Sequence, residues 1–125
     1  MHKPPGHTTV SPYLVVAGAQ GTIDFLSHVF GAVELRRFAD TDGRVVHAEV
    51  RIDDTVIMLA DGGAGWPAVA SHVRIYVPDV DSTYHVALEA GAASVQVPVQ
   101  KGDEDKRGGV KDLGGTTWWI ATLVG

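Results

Sequence analysis

The chain has 125 residues, no cysteine and a formal net charge of -5 at pH 7. This length suits one domain with its own core, and the lack of cysteine excludes disulfides, thiolate metal sites and a cysteine nucleophile. The acidic balance argues against a nucleic-acid surface, and no apolar run is long enough for a signal peptide or a membrane span. We therefore expect a cytoplasmic protein that binds neither nucleic acid nor membrane.

The first nine residues, MHKPPGHTT, predict a flexible tail in which His2 and His7 are solvated. Residues 10–125 are expected to form a single domain of two modules, 10–61 and 72–125, joined by a Gly/Pro linker over 62–71.

The first module starts with a strand and a helix. Ser11–Val16 is predicted to be a strand, and the spacing of apolar residues predicts a helix over Thr22–Phe30, with Gly31 as its C-cap. Glu34–Phe38 is predicted to be a short strand, and Asp40–Gly43 a turn.

A β-hairpin is predicted over Arg44–Asp61. If Asp53 and Asp54 form a two-residue loop, alternate residues of the two strands face the same way. One face then collects apolar side chains, which are those of Ala48, Val50, Ile52, Ile57 and Leu59. The other face carries His47, Glu49 and Arg51, with Glu49 directly across from Met58. Such a face either lines a pocket or simply meets water.

After the linker the same order of elements begins again. The predicted elements are a strand over His72–Val77, a helix over Val80–Ala90, a strand over Val95–Val99, a charged loop over Gln100–Gly109, a turn over Asp112–Gly115 and a strand over Thr116–Val124. The helix is predicted to be capped by Asp79 or Asp81 and closed by Gly91. Gly62-Gly63 and Gly108-Gly109 are interpreted as flexible turns.

This internal duplication predicts sheets that curve around one concave surface, with both helices on the outer face. The side chains expected on the concave surface are those of Ser11, Tyr13, His47, Glu49, Arg51, Met58, His72, Arg74, Tyr76, Thr117 and Trp119. Aromatic rings mixed with a few convergent polar groups are typical of a ligand cavity. We expect Trp118 in the core, His28 and His85 on solvent faces of the helices, and Trp66 as a lid, a dimer contact or a loop anchor.

Five strings in order resemble the vicinal oxygen chelate superfamily of glyoxalase I, bleomycin-resistance proteins and extradiol dioxygenases, and most of all its PhnB-like branch. They are VSPYLVV, IDFL followed by FGAVELRR, HAEVRIDDTVIMLAD, HVRIYVPDVDSTYHVALEAGA and VKDLGGTTWWIAT. The resemblance implies an α+β fold of paired β-α-β-β-β modules, whose curved, mostly antiparallel sheet surrounds a concave cleft. It also implies a homodimer.

Metal-using members of that superfamily hold a divalent ion in the cleft, and the resemblance places the four ligands at Ser11, Met58, His72 and Trp119. Only His72 suits such an ion, because serine is a poor ligand, a thioether is soft and an indole offers no lone pair. We therefore expect no metal cofactor. The alternative is a displaced divalent-metal site made by His47, Glu49 and His72.

The leading functional hypothesis is a binding protein with a degenerate metal site that binds or sequesters a planar apolar or aromatic small molecule. Its predicted ligand-binding residues are Tyr13, His47, Arg51, Met58, Arg74, Tyr76 and Trp119. The alternative is a glyoxalase-like enzyme that transfers a proton beside a carbonyl, with Glu49 or His72 as the catalytic base. A plainer alternative is a dimeric scaffold with a filled cleft, in which Glu49 pairs with Arg51 or Arg74 and His72 forms a hydrogen bond within the sheet.

Overall fold

The computed structural model describes residues 2–102 and 104–124 of the chain. Contacts divide it into two units, the first ending at Val69 and the second beginning at Ala70. Each unit contains one helix and one four-stranded sheet, so the predicted α+β class and the internal duplication are confirmed. Within the described ranges, no helix is both long enough and apolar enough to cross a membrane.

The first unit has the element order β-α-β-β-β. Its elements are β1 (Tyr13–Val16), α1 (Ala19–Phe30), β2 (Val33–Ala39), β3 (Val45–Ile52) and β4 (Thr55–Asp61). The strand order across the sheet is β1-β4-β3-β2, in which β1 runs parallel to β4 and the other pairs are antiparallel.

The second unit repeats this arrangement. Its elements are β5 (Ser71–Tyr76), α2 (Val80–Glu89), β6 (Ala93–Lys101), β7 (Asp105–Lys111) and β8 (Thr116–Leu123). The strand order is β5-β8-β7-β6, again with one parallel pair, β5 with β8, and two antiparallel pairs.

The β3–β4 hairpin has the predicted register. Ile52 pairs with Thr55 and Glu49 pairs with Met58, so the two-residue loop is confirmed. Asp53 in that loop has a positive φ of 51°, a conformation that aspartate tolerates in tight hairpin turns. The apolar face of the hairpin is buried beneath α1, whose Ile23 and Leu26 are buried as well.

Helix α1 starts at Ala19, three residues before the predicted start. No side chain of its own N-cap residue, Gly18, is available to bind the first turn. Instead, the carboxylate of Asp61 at the end of β4 accepts hydrogen bonds from the backbone N–H of Ala19 at 2.6 Å and of Val45 at 2.8 Å. The predicted C-cap is confirmed, since Gly31 adopts a left-handed conformation with φ of 69°.

Helix α2 is capped by Asp79, which accepts a hydrogen bond from the backbone N–H of Ser82 at 3.3 Å. Its buried residues, Val80, Tyr84 and Ala87, face the sheet of the second unit. Trp118 and Ile120 of β8 are fully buried, which confirms the core position predicted for Trp118. His28 and His85 are exposed, also as predicted.

The prediction of a charged loop over Gln100–Gly109 is wrong. Strand β6 continues to Lys101 and β7 begins at Asp105, so most of that stretch is strand. Strand β7 lies between β6 and β8, and its backbone is paired on both sides. Gly108 and Gly109 are therefore not flexible turns. A Cβ on Gly109 would lie 2.7 Å from the Trp119 ring, and one on Gly108 would lie 3.1 Å from Pro98, so glycine allows these close approaches.

Candidate functional site

The polar face of the first sheet is organised around Glu49. Its carboxylate accepts a hydrogen bond from Nε2 of His47 at 2.8 Å and another from Nε2 of His7 at 2.7 Å. The Arg36 guanidinium of the neighbouring strand lies 3.5 Å away. Only 3% of the residue is exposed, so Glu49 is a buried charge compensated by three cationic or hydrogen-bonding side chains.

The surroundings of Glu49 favour its ionised form. Burial raises the pKa of the carboxyl, but the hydrogen bonds from His47 and His7 and the charge of Arg36 outweigh burial. The net effect holds the pKa of Glu49 below its ordinary value of 4.5. A shielded carboxylate with a lowered pKa is weakly basic, which argues against Glu49 as a general base that must touch a substrate.

Two expectations, one about Glu49 and one about His7, are corrected. The ion-pair partner of Glu49 is Arg36, whereas Arg51 is exposed and Arg74 pairs with Asp105. The predicted solvation of His7 is wrong as well, because its side chain is only 13% exposed.

The segment around His7 lies on the polar face of the first sheet. In addition to the bond from His7 to Glu49, the hydroxyl oxygen of Thr8 accepts a hydrogen bond from the backbone N–H of Val56 at 3.4 Å. Val56 and Glu49 are buried although the hairpin register places them on the face opposite the helix.

His47 connects the buried carboxylate to the tyrosine of the first strand. The Tyr13 hydroxyl lies 3.1 Å from Nδ1 of His47, while Nε2 of the same ring bonds Glu49. The imidazole lies between two aromatic rings, with centroid distances of 5.6 Å to Tyr13 and 6.3 Å to Phe38. These contacts restrict the rotation of His47 about its side-chain bonds. Met58 pairs with both Tyr13 and Glu49 across the sheet and is half-buried.

A cavity of about 310 Å³ opens beside Tyr13 in the same unit. Its walls are largely apolar, and its lining residues are Tyr13, Asp40, Arg44, Val46, Ala60, Asp61 and Trp66. The rings of Tyr13 and Trp66 meet edge to face with centroids 6.3 Å apart, which leaves each ring partly exposed. Ligand pockets start at roughly this volume, and an apolar cavity of about 150 Å³ already holds benzene. The cavity therefore has room for a molecule of one or two rings.

Trp66 is held in place by the backbone of the glycine-rich segment. Gly63 and Trp66 exchange two backbone hydrogen bonds, of 2.8 and 3.1 Å, which close a tight turn. The same segment is tied to β1, since Gly62 donates to the carbonyl of Val16 and Val69 donates to that of Val15. The backbone at Trp66 is therefore tied to the sheet, and its side chain lines the cavity.

In the second unit, Trp119 and His72 form a pair of their own. The indole Nε1–H of Trp119 donates to Nδ1 of His72 at 3.1 Å, and the two rings are nearly parallel, at an angle of 9°. The Trp119 ring lies over Gly109 of the neighbouring strand. This is the internal hydrogen bond that was expected as the alternative role of His72.

Arg74 and Tyr76 converge on Asp105 of β7. The Arg74 guanidinium donates to Oδ2 of Asp105, and the Tyr76 hydroxyl donates to the same oxygen at 2.9 Å. The guanidinium also lies over the Tyr76 ring, 5.2 Å from its centroid. These two predicted ligand-binding side chains are thus already paired within the sheet.

The four positions that correspond to metal ligands in metal-using relatives do not fit a divalent ion. Trp119 has no lone pair to offer and directs its N–H at Nδ1 of His72, the member of the set whose side chain suits such an ion. The Ser11 hydroxyl lies 3.2 Å from that of Thr8, and the Met58 thioether is soft. Among residues 2–102 and 104–124, no group of three or more His, Cys, Asp or Glu side chains is arranged to hold a metal ion.

The structure thus brings the predicted site residues together in two sets, one in each unit. Tyr13, His47, Glu49 and Met58 share the polar face of the first sheet, and His72, Arg74, Tyr76 and Trp119 share a face of the second. His7, Arg36 and Asp105 were not predicted from the sequence as members of these sets. The pairing of β2 with β3 places Arg36 next to Glu49, and a correct strand assignment for β7 would have placed Asp105 in the sheet.

Residues 5–120 match the model of the Glyoxalase/Bleomycin resistance protein/Dioxygenase superfamily. The chain belongs to this superfamily. An uncharacterized protein of Mycobacterium bovis is 36% identical to it over an alignment of 129 positions. The alignment covers 92% of this chain and 83% of that protein. The resemblance found in the sequence is therefore confirmed.

Solved structures of other proteins have the same fold. TioX from Micromonospora sp. ML1 is 24% identical, with a TM-score of 0.73 over 92% of this chain and 99% of TioX. A PhnB protein from Bacillus cereus is 17% identical, with a TM-score of 0.70 over 92% of this chain and 99% of that protein. At these identities the likeness shows a shared fold. The proteins that share it include a PhnB protein, as the sequence resemblance predicted.

Proposed function

We propose that the protein binds a planar, largely apolar small molecule in the cavity beside Tyr13 and Trp66. The observation that carries this proposal is the cavity itself, with a volume of about 310 Å³ and two partly exposed aromatic rings in its wall. Aromatic side chains contribute large contact areas to flat ligands at a small cost in conformational entropy. In a superfamily that includes bleomycin resistance proteins, such binding would sequester a toxic compound.

The polar lining supports a ligand that carries a negative group. Both carboxylate oxygens of Asp61 accept backbone N–H groups, and Oδ1 of Asp40 accepts two more, from Asp42 and Arg44. The Arg44 side chain donates one hydrogen bond to the carbonyl of Asp61 and retains further N–H groups. Arg44 is the cationic side chain of the lining, and its remaining N–H groups can donate to an anionic substituent on an otherwise apolar ring system despite the charges of the two carboxylates.

Fluorescence titration with 8-anilino-1-naphthalenesulfonate tests the proposal, because this anion, which joins two ring systems, a naphthalene and a phenyl, becomes emissive in apolar sites. We expect Trp66→Ala to weaken the affinity of the dye at least about tenfold, since it removes one aromatic wall. Leu113→Ala is the matched control, because Leu113 is 86% exposed in the second unit and should leave the affinity unchanged. Arg44→Gln should weaken binding of the sulfonate dye but not of N-phenyl-1-naphthylamine, which lacks the sulfonate.

Three outcomes would contradict the proposal. The first is the absence of dye binding by the wild type, and the second is equal affinity of the wild type and Trp66→Ala. The third is a loss of affinity in Trp119→Phe without one in Trp66→Ala, which would move the site to the second unit.

A further inference from the structure

A hydroxyl, an imidazole and a carboxylate lie in series on the polar face of the first sheet. Tyr13 Oη is 3.1 Å from Nδ1 of His47, and Nε2 of His47 is 2.8 Å from Oε2 of Glu49. The two ends of the series differ in accessibility, because Tyr13 is 44% exposed and Glu49 only 3%. The tyrosine is thus partly exposed to small molecules, while the carboxylate is shielded from them.

The positions of the protons follow from this geometry. A carboxylate surrounded by two histidines and an arginine accepts hydrogen bonds and has none to donate, so the proton of a neutral His47 is on Nε2. The lone pair of Nδ1 then faces Tyr13, and the hydroxyl must be the donor. Glu49 selects the tautomer of His47 in which the ring is ready to accept the proton of Tyr13.

The other tyrosines of the chain lack this arrangement. The Tyr76 hydroxyl donates to the carboxylate of Asp105, and the Tyr84 hydroxyl, on a buried residue, contacts that of Ser94 at 2.5 Å. Neither of these partners, Asp105 and Ser94, is an imidazole held by a second group. An activated nucleophile is one whose proton is accepted by a base that a second group orients, and Tyr13 has this arrangement.

We propose that Tyr13 is a catalytic nucleophile that hydrolyses small aryl esters, with His47 as its base and Glu49 as a positioning residue. Tyr13 and Trp66 both line the cavity of about 310 Å³, so an aryl group bound there contacts the residue that carries the hydroxyl. In this respect the inference rests on the proposed function, since the same cavity receives the ring.

The reaction balances with water as the only co-reactant. Oη of Tyr13 attacks the ester carbonyl carbon while its proton passes to Nδ1 of His47, and the bond to the leaving phenolate breaks. His47 returns the proton to that leaving group. Water then attacks the tyrosyl ester, His47 accepts a proton from the water, and that proton passes to Oη of Tyr13 as the acyl–oxygen bond breaks. One ester and one water give one carboxylic acid and one phenol.

Acetylation by p-nitrophenyl acetate, followed by mass spectrometry of the peptides, tests the inference in the wild-type protein. We expect the initial rate of acetylation at Tyr13, measured before hydrolysis of the tyrosyl ester removes the label, to be at least about tenfold higher than that at Tyr76, a ratio within the range of general-base catalysis. Exposure alone predicts the opposite order, because Tyr76 is 60% exposed and Tyr13 44%. Acetylation of Tyr13 that is no faster than that of Tyr76 would overturn the inference.

Variants assign the separate roles. His47→Gln keeps a polar side chain but removes the base, and it should slow acetylation of Tyr13 to about the rate at Tyr76. His28→Gln replaces an exposed histidine of α1 and should leave the rate unchanged. An unchanged rate in His47→Gln would overturn the inference, and the comparison of tyrosines within the wild type remains decisive if that variant does not fold.

The positioning role of Glu49 has its own readout. In the wild type, nitrogen NMR of His47 should show the proton on Nε2, and Glu49→Gln should give a mixture of both tautomers together with slower acetylation of Tyr13. A merely structural role would leave the tautomer unchanged. Retained acetylation of Tyr13 without dye binding would refute the proposed function alone, whereas dye binding without preferential acetylation would refute the nucleophile alone.

Discussion

Glu49→Gln should lower the free energy of unfolding by about 2 kcal/mol near neutral pH. The carboxylate accepts two hydrogen bonds, of 2.7 and 2.8 Å, from His7 and His47. Glutamine replaces one carboxylate oxygen by an NH2 group, so one histidine keeps a neutral hydrogen bond and the other must change tautomer to accept from the amide. Hydrogen bonds to a charged group contribute about 1.5–3 kcal/mol each and neutral ones about 0.5–1.5 kcal/mol, so the change of both bonds from charged to neutral costs about 1 kcal/mol apiece. The glutamine has nearly the same shape, and no cavity term is added.

The difference between wild type and variant should depend on pH in a direction set by the lowered pKa of Glu49. A carboxylate whose pKa is lower in the folded state stabilises the fold above its unfolded-state pKa, near 4.5, and loses that contribution as the pH falls through the folded value. Glutamine does not titrate. The gap in stability between the two proteins should therefore be largest at neutral pH and shrink as the pH falls below about 4.5.

Urea unfolding followed by circular dichroism measures this gap. At neutral pH the midpoint of Glu49→Gln should lie about 1 M below that of the wild type, given typical slopes of about 1–3 kcal/mol per M for a small protein. Glu34→Gln is the matched control, because Glu34 forms an exposed ion pair with Arg37 at 2.7 Å and should change stability by less than about 1 kcal/mol. A gap that is equal at neutral and acid pH, or no larger than that of the control, would refute the reasoning.

Two further predictions concern packing and capping. Gly109→Ala should displace the Trp119 ring, because the new Cβ would lie 2.7 Å from it, and we expect altered tryptophan emission and a loss of about 1–3 kcal/mol. Gly21→Ala, on the open surface of α1, is its control and should not destabilise; unchanged emission in Gly109→Ala would contradict the prediction. Asp61→Asn leaves one of two backbone N–H groups without its acceptor and should lower stability by about 1–2 kcal/mol in thermal unfolding. Asp24→Asn, on the exposed face of α1, is the comparison, and an equal effect of both substitutions would show that Asp61 does not anchor the helix.

The local pattern of the chain predicted much of the fold. In the hairpin, alternating apolar residues and a two-residue loop determine which side chains share a face, so the pairing of Glu49 with Met58 followed from the sequence. Gly31 was predicted as a helix end, and Asp79 was one of two candidate caps beside Asp81, because capping depends on residues within one turn. The repeated order of elements then indicated two similar modules.

The start of strand β7 was wrongly predicted to be a loop because its residues are charged. The segment from Asp105 to Arg107 is rich in charged residues and is followed by two glycines, which together are typical of a loop. In the structure it forms the start of β7, where Asp105 accepts hydrogen bonds from Arg74 and Tyr76, and the glycines admit Trp119 and Pro98. These compensating partners come from other strands, and no local pattern could reveal them.

The site depends on contacts between residues far apart in the chain. His7 meets Glu49 across 42 residues, and Asp61 binds the first turn of α1 across 42 residues as well. Sequence periodicity could place Tyr13, His47 and Glu49 on one face, because side chains alternate along a strand. Only the tertiary structure decided that Glu49 is buried beneath His7, that His47 lies between Glu49 and Tyr13, and that Trp66 forms a wall beside them. Periodicity determines the direction of a side chain, whereas its distance to a partner depends on how the strands and the connecting segments pack.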